Sequence, residues 1–358
     1  MTLRQRLLDV GWRADTNDSR GMKWTLFQKI ALVTFITVEL LIFVGASVRA
    51  SGSGLGCPDW PLCYGRLIPP TKVEDIDFDH LDLEKFREKA ARHGRDPASI
   101  TEESLRAEFD AVSTWIEYFN RLTSMPVGLS VLVLFVASFG QFKLRRPGVF
   151  AAAVASLFLV LLNAWLGAQV VLSGLKPGII TLHMALAILL QCMLVYTAWG
   201  GTSAPWRLKV EASAAPGLFW VASTLLGLVV LEGILGSQVR EMTDELSRIH
   251  QGESRSDWVG ELEQSMSYIY HRSFSWVIVG WTLYFAWRVR RSMGGFGWLE
   301  LSIVGLVFAQ MVLGIVLAHV GIVRTAQVLH IGLSSLLVSG LFLWILGVWR
   351  ARSASARG

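Results

Sequence analysis

LGAQVVLSGLKPGIITLH, residues 166–183, and LGIVLAHVGIVRTAQVLH, residues 313–330, are two copies of one pattern. Each opens on Leu-Gly, places a second Gly seven residues after the first (Gly174, Gly321) and sets a His seventeen residues after the Leu (His183, His330). The comparison extends to GASVRA (45–50) against GSQVRE (236–241), and to EYFNR (117–121) against YIYHR (268–272). All six segments sit in or beside long apolar runs, so four membrane spans are duplicated. An even number of spans per copy makes both copies enter the membrane in the same sense, a parallel repeat about an axis along the membrane normal. The expected fold is all-α, with eight transmembrane helices in two pseudo-symmetric four-helix bundles side by side.

Composition supports a membrane chain. With 358 residues, 53% hydrophobic content, 15 Trp and a mean hydropathy of +0.46, the sequence is too apolar for a soluble protein of this size. Runs near the twenty residues that cross a bilayer recur at about Phe27–Val48, Val112–Phe139, Phe150–Leu172, Ile179–Trp199, Leu218–Val239, Tyr268–Trp287, Leu299–Val320 and Val328–Trp349. The first run begins only at Phe27 and is followed by no small-residue cleavage site, so it reads as a span and not as a signal peptide. Lys and Arg gather before span one, between spans two and three, four and five, and six and seven, and at the C-terminus. The positive-inside rule makes those segments, and both termini, cytoplasmic. The net charge of +5 therefore reports topology and carries no argument for nucleic acid. The implied division is a cytoplasmic segment 1–26, a first bundle 27–200 with its outer loop 51–111, a cytoplasmic linker 201–215, a second bundle 216–349 and a cytoplasmic tail 350–358.

GSGLGCPDWPLCYG (52–65) falls in the first outer loop, which places Cys57 and Cys63 in an oxidising compartment. The pair is six positions apart around two prolines, a spacing that can close as a disulfide, with a zinc site or free thiols as alternatives and no His nearer than His80. Cys192, within span four, reads as a packing residue. The rest of that loop is long and charged. LEKFREKAARHG (83–94) and SITEESLRAEFDAV (99–112) predict two short amphipathic helices over the outer mouth, either a lid or a solvated spacer.

Four histidines lie in or at the edge of spans, where ionisable groups are costly and mark function. His271 and His330 begin spans six and eight at matched depth, a geometry suited to clamping a planar metal macrocycle from both sides. His183 is the counterpart of His330, whereas the counterpart of His271 is Asn120, so one half offers two axial ligands and the other one. His319 has no such counterpart and is a packing or carboxylate-contact candidate. Arg49 and Arg240 close spans one and five, and Arg121 and Arg272 follow the ligand positions; guanidinium forks there suit carboxylate side arms, with interfacial snorkelling as the bland alternative. Glu117 precedes Asn120 by about one turn and is expected to face the same interior as a proton-handling carboxylate. Glu39 and Glu232 lie deeper, with no assigned role. His80, His93 and His250 read as solvated.

Taken together, GASVRASGSGLGCPDWPLCYGRLIPP (45–70), TWIEYFNRL (114–122), LGAQVVLSGLKPGIITLH (166–183), YHRSFSW (270–276) and LHIGLSSLL (329–337) resemble the heme A synthase family, across essentially every span. The resemblance implies oxidation of the heme O methyl group to a formyl by successive hydroxylations, in a multi-pass protein of the bacterial inner membrane. It implies a cofactor heme b on His271 and His330, substrate heme O at His183, an essential acid at Glu117 and a cysteine pair at Cys57 and Cys63. Asn120 departs from the His that many members carry there. A heme O synthase and a membrane electron donor are the implied partners, with homo-oligomerisation open. The competing functions are a bis-histidine b-type electron-transfer cytochrome, which should show two symmetric sites, and a heme transport or assembly factor, which has no need of a proton-handling carboxylate.

Overall fold

The computed structural model describes residues 24–92, 96–173, 175–250 and 253–355. Most of the segment 1–26, the last three residues of the tail, His93 and the repeat glycine Gly174 lie outside the described residues. Within them the chain is helical: α1 (Leu26–Ser51), α2 (Leu83–Arg92), α3 (Glu102–Glu108), α4 (Ala111–Lys143), α5 (Pro147–Leu172), α6 (Pro177–Gly200), α7 (Ala215–Ile249), α8 (Arg255–Gln264), α9 (Met266–Met293), α10 (Trp298–Ile315) and α11 (Arg324–Ser355). Sequence signals set the ends. Thr25 and Gln28 form a capping box on α1, which stops at Gly52 in the left-handed region, φ 77°. Asp110 caps α4 through the amides of Val112 and Ser113. Prolines occupy the first turns of α5, α6 and α7.

Seven of these helices, α1, α4, α5, α6, α7, α10 with its terminal turn, and α11, are long and apolar enough to cross a membrane. The protein is a multi-pass membrane protein. Large side chains such as Val33, Leu40, Phe158, Leu161 and Phe308 face outward, as a hydrocarbon surround requires. The expected sixth span, Tyr268–Trp287, falls inside α9, whose 28 residues suffice in length but which is not among the seven. Its Tyr, Trp, Ser, His and Arg content lowers its apolarity.

Helix α1 packs against α4 and α6, and α5 against α4 and α6; α7 packs against α9 and α11, and α10 against α9 and α11. The first set encloses an apolar core around Val38, Val127, Leu134, Ala153 and Leu194. The second encloses a core around Leu225, Phe285, Ile303, Leu341 and Trp344. Helix α11 joins the sets by lying along α1 and α6. At that seam Gly332 approaches Phe43 so closely that a methyl group would overlap the ring. One turn away, Glu39 accepts hydrogen bonds from Gln191 and from Ser335 Oγ at 2.6 Å. The connection 201–215 is tied in as well: the Leu208 amide donates to Gly347 O at 3.2 Å, and Trp199 Nε1 donates to Trp206 O at 2.8 Å.

The loop after α1 forms a compact cap. Cys57 and Cys63 are joined, Asp59 accepts from the amides of Tyr64 (2.7 Å) and Gly65 (2.8 Å), and the Trp60–Pro61 peptide is cis. The two expected amphipathic helices form as α2 and α3. Phe78, Leu81 and Leu105 pack with the cysteines and Tyr64, and Tyr118 of α4 joins them from below. Burial first, then the carboxylates of Glu108 and Asp59, pushes the Tyr64 phenol up to about 12. Helix α8, in the second long loop, has no counterpart in the sequence expectations; Trp258 and Leu262 bury it against Leu246 and Tyr268. Alkylation of unfolded, unreduced protein should label Cys192 alone, and reduction should expose two further thiols in peptide mass maps; labelling of Cys57 or Cys63 before reduction would contradict the cap.

Candidate functional site

Four polar side chains each lie against a glycine of a neighbouring helix. Asn120 of α4 faces Gly45 of α1, His183 of α6 faces Gly167 of α5, His271 of α9 faces Gly236 of α7, and His330 of α11 faces Gly314 of α10. A methyl group on those glycines would stand 3.8 Å from Asn120 Oδ1, and 3.5, 3.1 and 3.9 Å from Cε1 of His183, His271 and His330. The missing Cβ makes room for a polar ring between two close helices. Each glycine belongs to one of the repeated stretches, so the repeat is expressed as one contact made four times.

The structure brings His271 and His330 together, with ring centres 6.5 Å apart and planes at 88°. Metal–nitrogen bonds of roughly 2.0 Å, with roughly 1.2 Å from ring nitrogen to ring centre, would put two axial imidazoles about 6.4 Å apart. The pair thus fits the two sides of one metal. Nδ1 of both rings is buried without a hydrogen-bond partner, as is Nδ1 of His183, so each imidazole carries unmet polar capacity. Among the described residues no three His, Cys, Asp or Glu side chains gather around a bare ion. Two axial nitrogens suit a metal whose other ligands come from a macrocycle. His183 and Asn120 form the corresponding positions of the other helix set, where one imidazole is available.

Glu117 is buried, and its environment differs from the expected one. Its Oε2 accepts the Cys57 amide at 2.7 Å, and its Oε1 pairs with the Arg121 guanidinium. Arg121 in turn donates to the carbonyls of Asp59 and Leu62, both at 2.8 Å. The two side chains, one helical turn apart, bolt the disulfide hairpin to α4. Gly56 completes the joint, lying so close to the Ser113 carbonyl that no side chain would fit, while Thr114 Oγ1 donates to Gly56 O at 2.9 Å. Arg121 is therefore committed to the cap, whereas its counterpart Arg272 is exposed.

Arg49 and Arg240 meet between the two helix sets. Arg240 pairs with Asp244 at 2.8 Å and donates to Arg49 O at 3.0 Å; Arg49 reaches the same carboxylate at 3.8 Å and Met184 Sδ, beside His183, at 3.6 Å. Arg49 Nε is buried without an acceptor, and Nη2 has only the long approach to Asp244, which leaves hydrogen-bonding capacity for an incoming carboxylate. His319 is exposed in the π turn that ends α10. Glu232 Oε1 lies 3.2 Å from His271 Nδ1. Asp59, Asp244, Gln191 and Ser335 were not singled out by the sequence: Gln191 and Ser335 acquire their meaning from Glu39 far along the chain, Asp244 from joining Arg240 to the distant Arg49, and Asp59 from a turn that brings two amides back to it.

The family model described as COX15-CtaA, cytochrome oxidase assembly protein, matches residues 28–342. The chain is similar to a Listeria welshimeri protein named heme A synthase, 25% identical over 348 residues that cover 91% of this chain and 96% of that one. A Listeria monocytogenes heme A synthase is 25% identical over 343 residues with the same coverage. A Thermus thermophilus protein named protoheme IX farnesyltransferase is 28% identical over 218 residues, 58% of this chain and 28% of that one. The family match takes in both helix sets, all four glycine contacts and the cap, and the chain belongs to the COX15-CtaA family of cytochrome oxidase assembly proteins.

Proposed function

We propose that this protein is a heme A synthase, an oxidoreductase that converts the methyl group of heme O to a formyl group by successive hydroxylations. The observation that carries the reading is the His271–His330 pair, 6.5 Å between ring centres, inside a chain whose full-length relatives are named heme A synthase. The architecture in this reading is eight spans in two four-helix bundles, with α9 as the sixth span; its packing between α7 and α10 supports this. The arginines flanking the spans support cytoplasmic termini in a bacterial inner membrane.

His271 and His330 would hold a heme b, which when bound supplies one-electron transfer. With both histidines engaged the group would offer no place to a reacting molecule, which would suit a centre that only passes electrons. Taking the methyl carbon to a formyl oxidises it: with water as the oxygen source the electrons leave for an acceptor in the membrane, and with dioxygen as the source they reduce it together with electrons that a membrane donor delivers, one oxygen atom of each dioxygen leaving as water. His183 would ligate the substrate heme from one side. Asn120, a hydrogen-bonding side chain and a poor metal ligand, leaves the other side open and can orient an oxygen species there. Arg49, whose Nε is buried without an acceptor, suits a propionate of the substrate, and Arg240 one of the cofactor. Both oxygens of Glu117 are already taken by donors, which supports a positioning role through the cap over the proton shuttling its sequence position led us to expect. The Asn120–His271 asymmetry weighs against a plain two-site cytochrome.

Co-expression with a heme O synthase, followed by porphyrin extraction, should yield heme A; His271→Ala or His330→Ala should abolish both the product and a low-spin heme signal. Accumulation of heme O alone in the wild type would refute the reading. Gly236→Ala, which crowds His271 at 3.1 Å, should lower heme b content severalfold, whereas Gly314→Ala, with 3.9 Å to His330, should leave it near wild type by pyridine hemochrome assay. Glu117→Gln breaks a buried ion pair, a loss of about 3–5 kcal/mol. Thermal melts should show a destabilised protein whose low-spin heme spectrum survives while heme A output falls.

A further inference from the structure

We infer that Glu232 is the positioning residue of the His271 ligand: its carboxylate takes the Nδ1–H of that ring and thereby presents Nε2 to the metal. The inference rests on the heme b reading above and assigns a group that the reading leaves without a role. Glu232 stands one helical turn before Gly236 on α7, so the carboxylate and the glycine that carries the His271 ring share one face of that helix. Its Oε1 is 3.2 Å from His271 Nδ1, and its Oε2 is buried with no hydrogen-bond partner. A carboxyl group in such a place is costly unless something satisfies it. The nearby imidazole N–H does so once the ring turns to meet it; as placed, the contact lacks the angle of a hydrogen bond.

The repeat supplies an independent check. In the first half the residue four before Gly45 is Leu41, and the residue facing that glycine is Asn120. At this one pair of equivalent positions the carboxylate is present where the facing side chain is His271 and absent where it is Asn120. Neither Nδ1 of His271 nor that of His330 makes a hydrogen bond as placed, but that of His271 has a carboxylate oxygen at 3.2 Å, so the two histidines are inequivalent. A ligating imidazole that donates its second N–H to a carboxylate is fixed in tautomer and orientation and becomes a more basic ligand, which favours the oxidised metal. Glu232 therefore sets which way electrons run at this centre as well as how firmly the ring is held.

The test uses the full chain purified with its heme, as wild type, Glu232→Gln and Glu232→Leu. Leucine is what the first half carries at the equivalent position, so the scaffold accommodates it. Heme retention is read by competition with a heme-scavenging apoprotein, and the midpoint potential by spectroelectrochemical titration. Glu232→Leu should lose heme about tenfold to a hundredfold more readily. Glu232→Gln, which keeps an acceptor oxygen, should retain heme within a few-fold while its potential rises by about a tenfold change in the reduction equilibrium, about 59 mV for one electron. Wild-type retention and potential in both variants would overturn the inference and leave the functional reading standing. A wild-type protein without a six-coordinate low-spin heme would remove the functional reading and the inference together.

Discussion

A polar side chain inside hydrocarbon needs space that ordinary helix packing does not leave, and here glycine supplies it four times, to three imidazoles and one amide. Gly45, Gly167, Gly236 and Gly314 let neighbouring helices hold Asn120, His183, His271 and His330 without a Cβ in the way. The cost of burying an imidazole in a membrane is tolerable only where a ligand or partner satisfies its nitrogens. Each of the three histidines has a buried Nδ1 without a hydrogen bond. Everything else in the site is arranged around these four contacts: the helix pairs they space, the arginines one or two turns above them, and the cap fastened beside one of them.

The cap shows how a loop gains the rigidity of an element. A disulfide, a carboxylate accepting two consecutive amides and a buried ion pair each remove freedom at a different scale. The hydrophobic faces of α2 and α3 then close over the hairpin. The amphipathic pattern in the charged insertion was thus a record of packing against the cysteines.

Much of the fold was legible because the bilayer imposes a coarse rule, runs of about twenty apolar residues, and the chain obeys it clearly at seven helices. It obeys it weakly at α9, where Tyr268, Tyr270, His271 and Arg272 crowd the first turns. The histidine positions were legible because the repeat lines them up. The partners were not. Glu117 was expected to point inward with Asn120 because three residues make nearly a turn, yet the hairpin amide and Arg121 offered it better bonds. Glu39 had no assignable role because Gln191 and Ser335 lie about 150 and 300 residues away, at separations of 152 and 296. Local periodicity carries no information about such pairs.

The seam between α1 and α11 has a consequence for motion. Gly332 seats the Phe43 ring, and one turn along Ser335 meets Glu39, which also holds Gln191 of α6. Sliding one half past the other by a helical turn would drive a ring into backbone and strand a carboxyl group in the middle of the membrane. Carriers that work by alternating access rock their repeats against each other around a central site, and a keyed, hydrogen-bonded seam of this kind forbids that stroke. The two halves behave as a single stator, in which the separation between the His183 and His330 positions is a fixed dimension of the molecule and not a variable of its working cycle.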